Sequence, residues 1–155
     1  MILIVASKRD VASMNIAQSI LEKYTFEKTS DVLQENPVYT VNSKGREFRL
    51  IFIEKDSIYA QFITDFFTPE LLVFVSRHSS SSGIPTLSVH TPGNFGKAEL
   101  GGLPRKVSVA PASVMKEALL ELAKLRDEKK LDYQVSYECT HHTVPHCAFP
   151  QCSSR

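Results

Sequence analysis

The chain reads as an α/β fold, a mixed, largely parallel sheet flanked by helices. Three observations point there. The run Ile2–Ala6 is wholly apolar, as in a strand buried on both faces, and helical periodicity follows it at once. Two β-type runs, 37–41 and 48–53, flank Asn42-Ser43-Lys44-Gly45, which is a hairpin signature. Two more apolar runs open into polar, small-residue stretches: Ser76-Arg77-His78-Ser79-Ser80-Ser81-Ser82-Gly83 after Leu71–Val75, and His90-Thr91-Pro92-Gly93-Asn94 further on. If those two strands are parallel neighbours, both stretches lie at one sheet edge, outside the carboxyl ends where open α/β sheets place their sites. A third segment, 133–142, has the same shape and ends in Glu138-Cys139-Thr140-His141-His142.

Composition bounds the class. A chain of 155 residues can bury one real core, and 43% hydrophobic with 23% charged residues is ordinary for a soluble globular protein. A formal charge of +1 announces no nucleic-acid or membrane partner, though a local basic patch is compatible with it. No stretch approaches membrane-span length. The opening MILIVASKRDVAS has too short an apolar run, and no charged region before it, for a signal peptide. Three cysteines, with Cys147 and Cys152 close to the end, do not resemble a disulfide framework. A cytoplasmic protein with free or metal-bound thiols is expected.

Taken in order, Ile2–Ala6 is the first strand. Asp10 offers an N-cap, and Met14, Ala17, Ile20, Leu21 and Tyr24 recur at helical spacing to about residue 24. Between them, Lys8 or Arg9 could meet a phosphate; a solvated turn is the favoured alternative. The hairpin follows. Residues 58–67 read as a short helix whose Tyr59, Phe62, Phe66 and Phe67 could line a pocket, core packing being favoured. After Val107-Ser108-Val109-Ala110, Pro111 suits a first helical position. Val114, Met115, Ala118, Leu119, Leu122 and Leu125 form an apolar stripe opposite Lys116, Glu117, Glu121, Lys124 and Arg126, in a helix ending near Lys129-Lys130. Tyr133–Thr140 is the last strand.

Several side chains have chemistry to offer. His78 could be a metal ligand, a general base or a phosphate contact, or simply a histidine capping a loop. Arg77 could clamp a carboxylate or phosphate, or form a surface ion pair. Ser79–Ser82 with Gly83 could present hydroxyls and N–H groups to an anion, a flexible loop being the plainer reading. Pro92-Gly93-Asn94 and Gly101-Gly102 mark tight turns, where glycine can also admit a substrate closely. Glu138, Cys139, His141, His142, His146, Cys147 and Cys152 crowd the end, but at spacings that match no standard zinc-finger pattern. If the last strand continues, His141 and His142 point to opposite faces.

The motifs SRHSS at 76–80, HTPGNFGKAELGG at 90–102 and ECTHH at 138–142 resemble the archaeal and plant type of D-aminoacyl-tRNA deacylase. So do Ala12-Ser13-Met14-Asn15-Ile16 and Asn36-Pro37-Val38-Tyr39. The resemblance covers residues 1–142. It implies a fold akin to phosphorylases and peptidyl-tRNA hydrolases, hydrolysis of the ester joining a D-amino acid to tRNA, and zinc as cofactor. It also implies the acceptor end of aminoacyl-tRNA as partner, no membrane or DNA partner, and a monomer at full family length. Residues 1–142 are thus expected to be the N-terminal part of such a domain, with 143–155 a divergent tail. Family members continue His-His-Gly-Pro, whereas Thr143-Val144-Pro145 follows here. Codons for 143–155 read in a shifted frame can spell a continuation beginning Gly-Pro, so an out-of-frame tail is the expectation. Sequencing the gene tests it: an intact frame with no downstream coding remnant refutes it.

The chemistry follows from the resemblance. Ester hydrolysis needs a water nucleophile, a base and oxyanion stabilisation, and a zinc ion can supply the first and third. His78 and His142 are the expected zinc ligands, with His78, Glu138, His141 and His142 as the catalytic set and Glu138 as base or ligand partner. Arg77, Ser79, Ser80, His90, Gly93, Asn94, Lys97, Gly101 and Gly102 are the expected substrate-binding set. Arg77, Lys97 and Arg105 would meet the acceptor end in a salt-sensitive way. Metal-free hydrolysis assisted by the terminal ribose hydroxyl is the alternative mechanism. The alternative functions are an inactive relative or acceptor-end binding module, and a small nucleoside- or phosphate-binding hydrolase.

Overall fold

The computed structural model describes residues 1–77, 83–94, 96–97 and 104–140, with the backbone alone at 139 and 140. It forms two compact units, 1–77 and 78–155.

The first unit is a five-stranded sheet with one α-helix. β1 (Ile2–Ser7) lies between β4 (Arg46–Ile53) and β5 (Leu71–Val75), parallel to both. β2 (Glu27–Leu33) and β3 (Asn36–Ser43) extend the sheet antiparallel beyond β4, giving the order β2-β3-β4-β1-β5. The apolar run at 2–6 becomes the strand between two parallel partners because both of its faces are covered: Leu3, Val5 and Ala6 are buried. One face packs under α1 (Val11–Lys23), where Ala6, Leu50 and Phe52 meet Ala17, Met14, Ile20 and Leu21. Leu3, Val5, Ile51 and Ile53, one residue out of phase, fill the other face. Each large aliphatic so buried contributes about 1.5–3 kcal/mol.

Local chemistry sets the ends of these elements. Asp10 caps α1, its Oδ1 accepting from the N–H groups of Ala12 (2.9 Å) and Ser13 (3.2 Å). Lys44 and Gly45, both at positive φ, form the two-residue turn between β3 and β4, as hairpin twist favours. The strand β2 is an addition to the sequence reading. It leads into a second two-residue turn, Gln34-Glu35, also at positive φ but without glycine. Asn36 Nδ2 donates to the Gln34 carbonyl (2.9 Å), and the Glu54 N–H donates to Gln34 Oε1 (3.1 Å), so the start of β3 and the residue after β4 hold that turn. The short helix appears as a 3₁₀ helix, Ser57–Asp65. Two of its four aromatics correct the core expectation, while Phe62 and Phe67 are half-buried. Tyr59 and Phe66 are exposed, and the buried positions are Ala60 and Ile63.

The second unit is a three-stranded sheet of order β7-β6-β8. β6 (Thr86–Asn94) runs parallel to β8 (Gln134–Thr140) and antiparallel to β7 (Lys106–Val107). Helix α2 (Ala112–Lys129) connects β7 to β8 and packs on β6 and β8. Pro111 is its N-cap, one position before the predicted place, and left-handed Lys130 closes it with N–H bonds to the carbonyls of Arg126 and Asp127. The expected stripe is only partly covered: Val114 and Leu125 are exposed, and α2 buries no residue fully. Among the described residues no helix is long and apolar enough to cross a membrane.

Two sequence expectations are corrected by this pairing. β5 pairs with β1, and β6 pairs with β7 and β8, so β5 and β6 are not the parallel neighbours that would bring their loops to one sheet edge. His90-Thr91-Pro92-Gly93-Asn94 is neither loop nor turn; it is the second half of β6. Proline is tolerated there because β6 changes partners at that point. Pairing with β8 ends at Pro92 and Thr140, pairing with β7 begins at Gly93 and Val107, and the Pro92 carbonyl accepts from Ser108 N–H at 2.8 Å.

Candidate functional site

In the first unit the carboxyl ends of β1 and β4 gather polar groups. Ser13, fully buried in α1, accepts from Ser7 N–H (2.9 Å) and donates to the Val75 carbonyl (2.5 Å), tying β1, α1 and β5 together. Lys8 pairs with Glu54 at 2.7 Å, and Arg9 Nε donates to the Glu54 carbonyl at 3.0 Å. Hydrogen bonds from Lys8, then from Asn36, hold the Glu54 carboxyl below its usual range. Lys8 is therefore occupied by an ion pair, and only Arg9 reaches an open cavity of about 430 Å³, shared with Lys55, Asp56, Tyr59 and Gln61. Arg77 follows β5. Its side chain is exposed and its backbone N–H donates to Asp10 Oδ2 at 2.6 Å.

The second unit holds a denser arrangement. The register pairs Ser88 with Ser136 and His90 with Glu138. Because side chains alternate along a strand, these four share one face of the β6–β8 ribbon. Ser88 Oγ lies 2.5 Å from His90 Nε2, and Ser136 Oγ donates to Glu138 Oε1 at 2.7 Å. His90 and Ser88 are half-buried, and Nδ1 of the ring is shielded from solvent. On the opposite face Thr91 Oγ1 meets the Tyr137 hydroxyl at 2.6 Å, which links the same two strands. An imidazole, a carboxylate and two hydroxyls in one row can accept, hold and return a proton.

The remaining expected binding residues are distributed along β6. Gly93 makes a close approach, though to backbone rather than to a substrate. A Cβ there would lie 3.1 Å from Val107 Cα and from both Val107 methyls. Asn94 is buried at the end of the strand. Beyond it, Arg105 N–H donates to the Gly96 carbonyl at 3.0 Å, and Asn94 pairs with Lys106. This brings the exposed side chains of Lys97, Arg105 and Lys106 to one end of the β6–β7 ribbon. His78, Ser79, Ser80, Gly101, Gly102, His141 and His142 lie outside the described residues. Among the described residues no group of three or more histidine, cysteine or acidic side chains could hold a metal ion. The expected zinc ligands His78 and His142 are not among the described residues.

A model of the family described as D-aminoacyl-tRNA deacylase matches residues 65–152, more than half of the chain. The chain belongs to the D-aminoacyl-tRNA deacylase family. The deacylase of Pyrococcus horikoshii is 37% identical over 145 residues, covering 90% of this chain and 50% of the relative. That of Picrophilus torridus is 38% identical over 141 residues, again 90% and 50%. A solved structure titled as a conserved protein of unknown function, AF0625, superposes with a TM-score of 0.75 at 31% identity, over 92% of this chain and 49% of that one. The chain thus spans about half the length of the curated deacylases it matches, and the family resemblance read from its motifs is borne out.

Ser88, Ser136, Thr91 and Tyr137 were missed by the sequence reading of this deacylase-family chain. A signal for the two serines was present: Ser88-x-His90 and Ser136-x-Glu138 each carry the two-residue period that puts both side chains on one face. Which face met which needed the β6–β8 register.

Proposed function

We propose that the chain hydrolyses the ester of D-aminoacyl-tRNA, releasing free tRNA and a D-amino acid. In a member of this family, one observation carries the reading: His90 and Glu138 stand opposite each other in the β6–β8 register, on one polar face. His90 takes a proton from water as the water oxygen bonds to the ester carbonyl carbon. The carbon–oxygen bond to the ribose then breaks, and the proton passes to the leaving ribose oxygen. Glu138, held by Ser136, favours the protonated ring while it carries that proton. Acid–base transfer of this kind contributes about 10²–10⁴-fold.

Lys97, Arg105 and Lys106 supply the positive end of the ribbon, and phosphates of the acceptor end are the anions it would meet. Neutralising any one of them weakens binding and reduces the slope of log affinity against log salt by roughly 0.7 for single-stranded RNA.

The test is deacylation of D-tyrosyl-tRNA by the 155-residue chain, with L-tyrosyl-tRNA as control and with zinc added or chelated. Loss of the D-ester alone, slowed at least about 100-fold in His90→Ala and in Glu138→Gln, supports the reading. Zinc-dependent turnover supports the expected cofactor at His78 and His142. If tRNA binds and no ester is cleaved, the chain is an acceptor-end binding module and the hydrolytic reading is refuted.

A further inference from the structure

We propose that the cavity at the carboxyl ends of β1 and β4 binds a ribonucleotide: Arg9 and Lys55 meet its phosphate, the Tyr59 ring its base and Asp56 its ribose hydroxyls. The proposal does not rest on the deacylase reading; it starts from the topology of the first unit. β2 is antiparallel to β3, β3 is antiparallel to β4, and β4 is parallel to β1, so β2 runs parallel to β1. The chain thus leaves β1 through α1 towards β2, at one edge of the sheet. It leaves β4 through the 3₁₀ helix towards β5, at the other edge. Right-handed crossovers that run in opposite directions lie on opposite faces of a sheet. In keeping with this, no residue of the 3₁₀ helix joins the cluster that α1 covers. Where the connections of two adjacent parallel strands part in this way, open α/β sheets have a crevice, and ligands bind there. The cavity of about 430 Å³ is lined by Arg9, which follows β1, and by Lys55, Asp56, Tyr59 and Gln61, which follow β4. Its volume falls within the roughly 300–1,000 Å³ of small-ligand sites.

The groups that line the cavity are held in place but not used up. Ser7 Oγ donates to the Lys55 carbonyl at 2.9 Å and accepts from Arg9 N–H at 3.2 Å, so one hydroxyl joins the two loops. Arg9 Nε donates to the Glu54 carbonyl, which fixes the guanidinium and leaves its terminal nitrogens for an anion. Glu54 itself is paired with Lys8, and among the described residues neither Arg9 nor Lys55 forms a salt bridge. Asp56 stands at the N-cap of the 3₁₀ helix, yet its side chain makes no capping bond, so its carboxylate is open to hydroxyl donors. Tyr59 is 53% exposed, whereas Ala60 and Ile63 of the same helix are buried. An exposed aromatic ring beside cations takes a base by stacking, whatever the base. A bare anion would leave the ring and the carboxylate without a role. A ribonucleotide matches all three chemistries at once.

A free mononucleotide and one residue of a single RNA strand carry the same chemistry, and the test separates them. AMP is titrated into the full chain by calorimetry, with the Arg9 Nε–H and Tyr59 amide NMR signals locating the site. Adenosine, inorganic phosphate, 2′-deoxy-AMP and single-stranded tetra-adenylate are titrated alongside. AMP is expected to bind at least about tenfold more tightly than adenosine, and Arg9→Ala or Lys55→Ala should remove most of that advantage. Tyr59→Ala should weaken AMP and adenosine alike by about tenfold, as for one stacked base, and Tyr59→Phe should keep the parent affinity. The loss on removing the 2′-hydroxyl should be smaller in Asp56→Ala than in the parent. Tetra-adenylate binding more tightly than AMP, at the same signals, assigns the site to an RNA strand; AMP binding more tightly assigns it to a free nucleotide. Either result upholds the proposal. Inorganic phosphate bound as tightly as AMP would leave an anion site only and overturns it. So does AMP affinity unchanged by both Arg9→Ala and Tyr59→Ala, or no AMP binding at millimolar concentration. No ester is cleaved in these titrations, so a chain inactive on D-aminoacyl-tRNA can still uphold the site and an active one can still refute it.

Discussion

Replacing Ser13 with alanine should weaken the first unit more than any other loss of a single hydroxyl from α1. The side chain is fully buried and its oxygen serves two elements at once, accepting from Ser7 N–H in β1 and donating to the Val75 carbonyl in β5. Alanine leaves the buried Ser7 N–H without that acceptor, which costs about 1–3 kcal/mol. It also removes the bond to Val75, worth about 0.5–1.5 kcal/mol. Alanine's better helix propensity returns about 0.5 kcal/mol. The net loss is about 1–4 kcal/mol, a large share of the roughly 4–12 kcal/mol expected for a unit of this size. Urea unfolding followed at amide signals of β1 and β4 measures it. With a slope near 1 kcal/mol per molar urea, the midpoint should fall by about 2 M. Ser19→Ala is the control, because Ser19 bonds only to the Asn15 carbonyl on an exposed face, and its effect should stay within about 0.5 kcal/mol. A Ser13→Ala protein as stable as the control would refute the view that this hydroxyl joins the three elements.

Other substitutions probe other links of the same reasoning. Gly93→Ala drives a Cβ into Val107 backbone, so β7 must move away, at a cost of about 1–3 kcal/mol. Amide exchange at Ser108, whose N–H bonds to Pro92, should speed up, and unchanged exchange there would sink the idea. The two tight turns predict opposite signs. Glu35→Gly relieves a left-handed non-glycine residue and should stabilise by about 0.5–1 kcal/mol, whereas Gly45→Ala should destabilise by about 1 kcal/mol. Thermal unfolding of both variants decides, equal shifts counting against the assignment. Glu54 should titrate below the ordinary glutamate value because Lys8 and Asn36 donate to its carboxylate. A carboxyl whose folded pKa is lowered adds stability above its unfolded pKa and loses it as pH falls through the folded one. Lys8→Ala should therefore raise the midpoint in a carbon-13 titration. A parent midpoint at or above 4.5 contradicts the geometry.

What was legible in the sequence is what neighbours along the chain decide. The apolar run at 2–6, the Asp10 cap, the Lys44-Gly45 turn and the end of α2 at Lys129-Lys130 each depend on a few consecutive residues. Those local preferences survived folding unchanged. The β2 hairpin was not legible. Its strand, Glu27–Leu33, is mostly exposed and has no apolar alternation, and its turn lacks the glycine that announces such turns. At roughly 1–2 kcal/mol per left-handed residue, Gln34-Glu35 would not turn on its own propensity. Bonds to Asn36 and Glu54 make it the stable arrangement.

The site divides in the same way. The motifs around His90 and Glu138 were visible as residue types, and family membership followed from them. Their meeting was not visible, because it depends on β6 and β8 lying parallel in a register joined through α2, forty-eight positions apart. Pro92-Gly93-Asn94 shows the reverse case. Its composition says turn, yet two partner strands meet β6 at that point, and the absent side chain at Gly93 admits Val107. By itself, then, the sequence determined the family, the principal local elements and the chemical groups available. Only the tertiary structure decided which groups share a face, because strand pairing is set by burial and backbone hydrogen bonds between distant segments, and no run of consecutive residues encodes that choice.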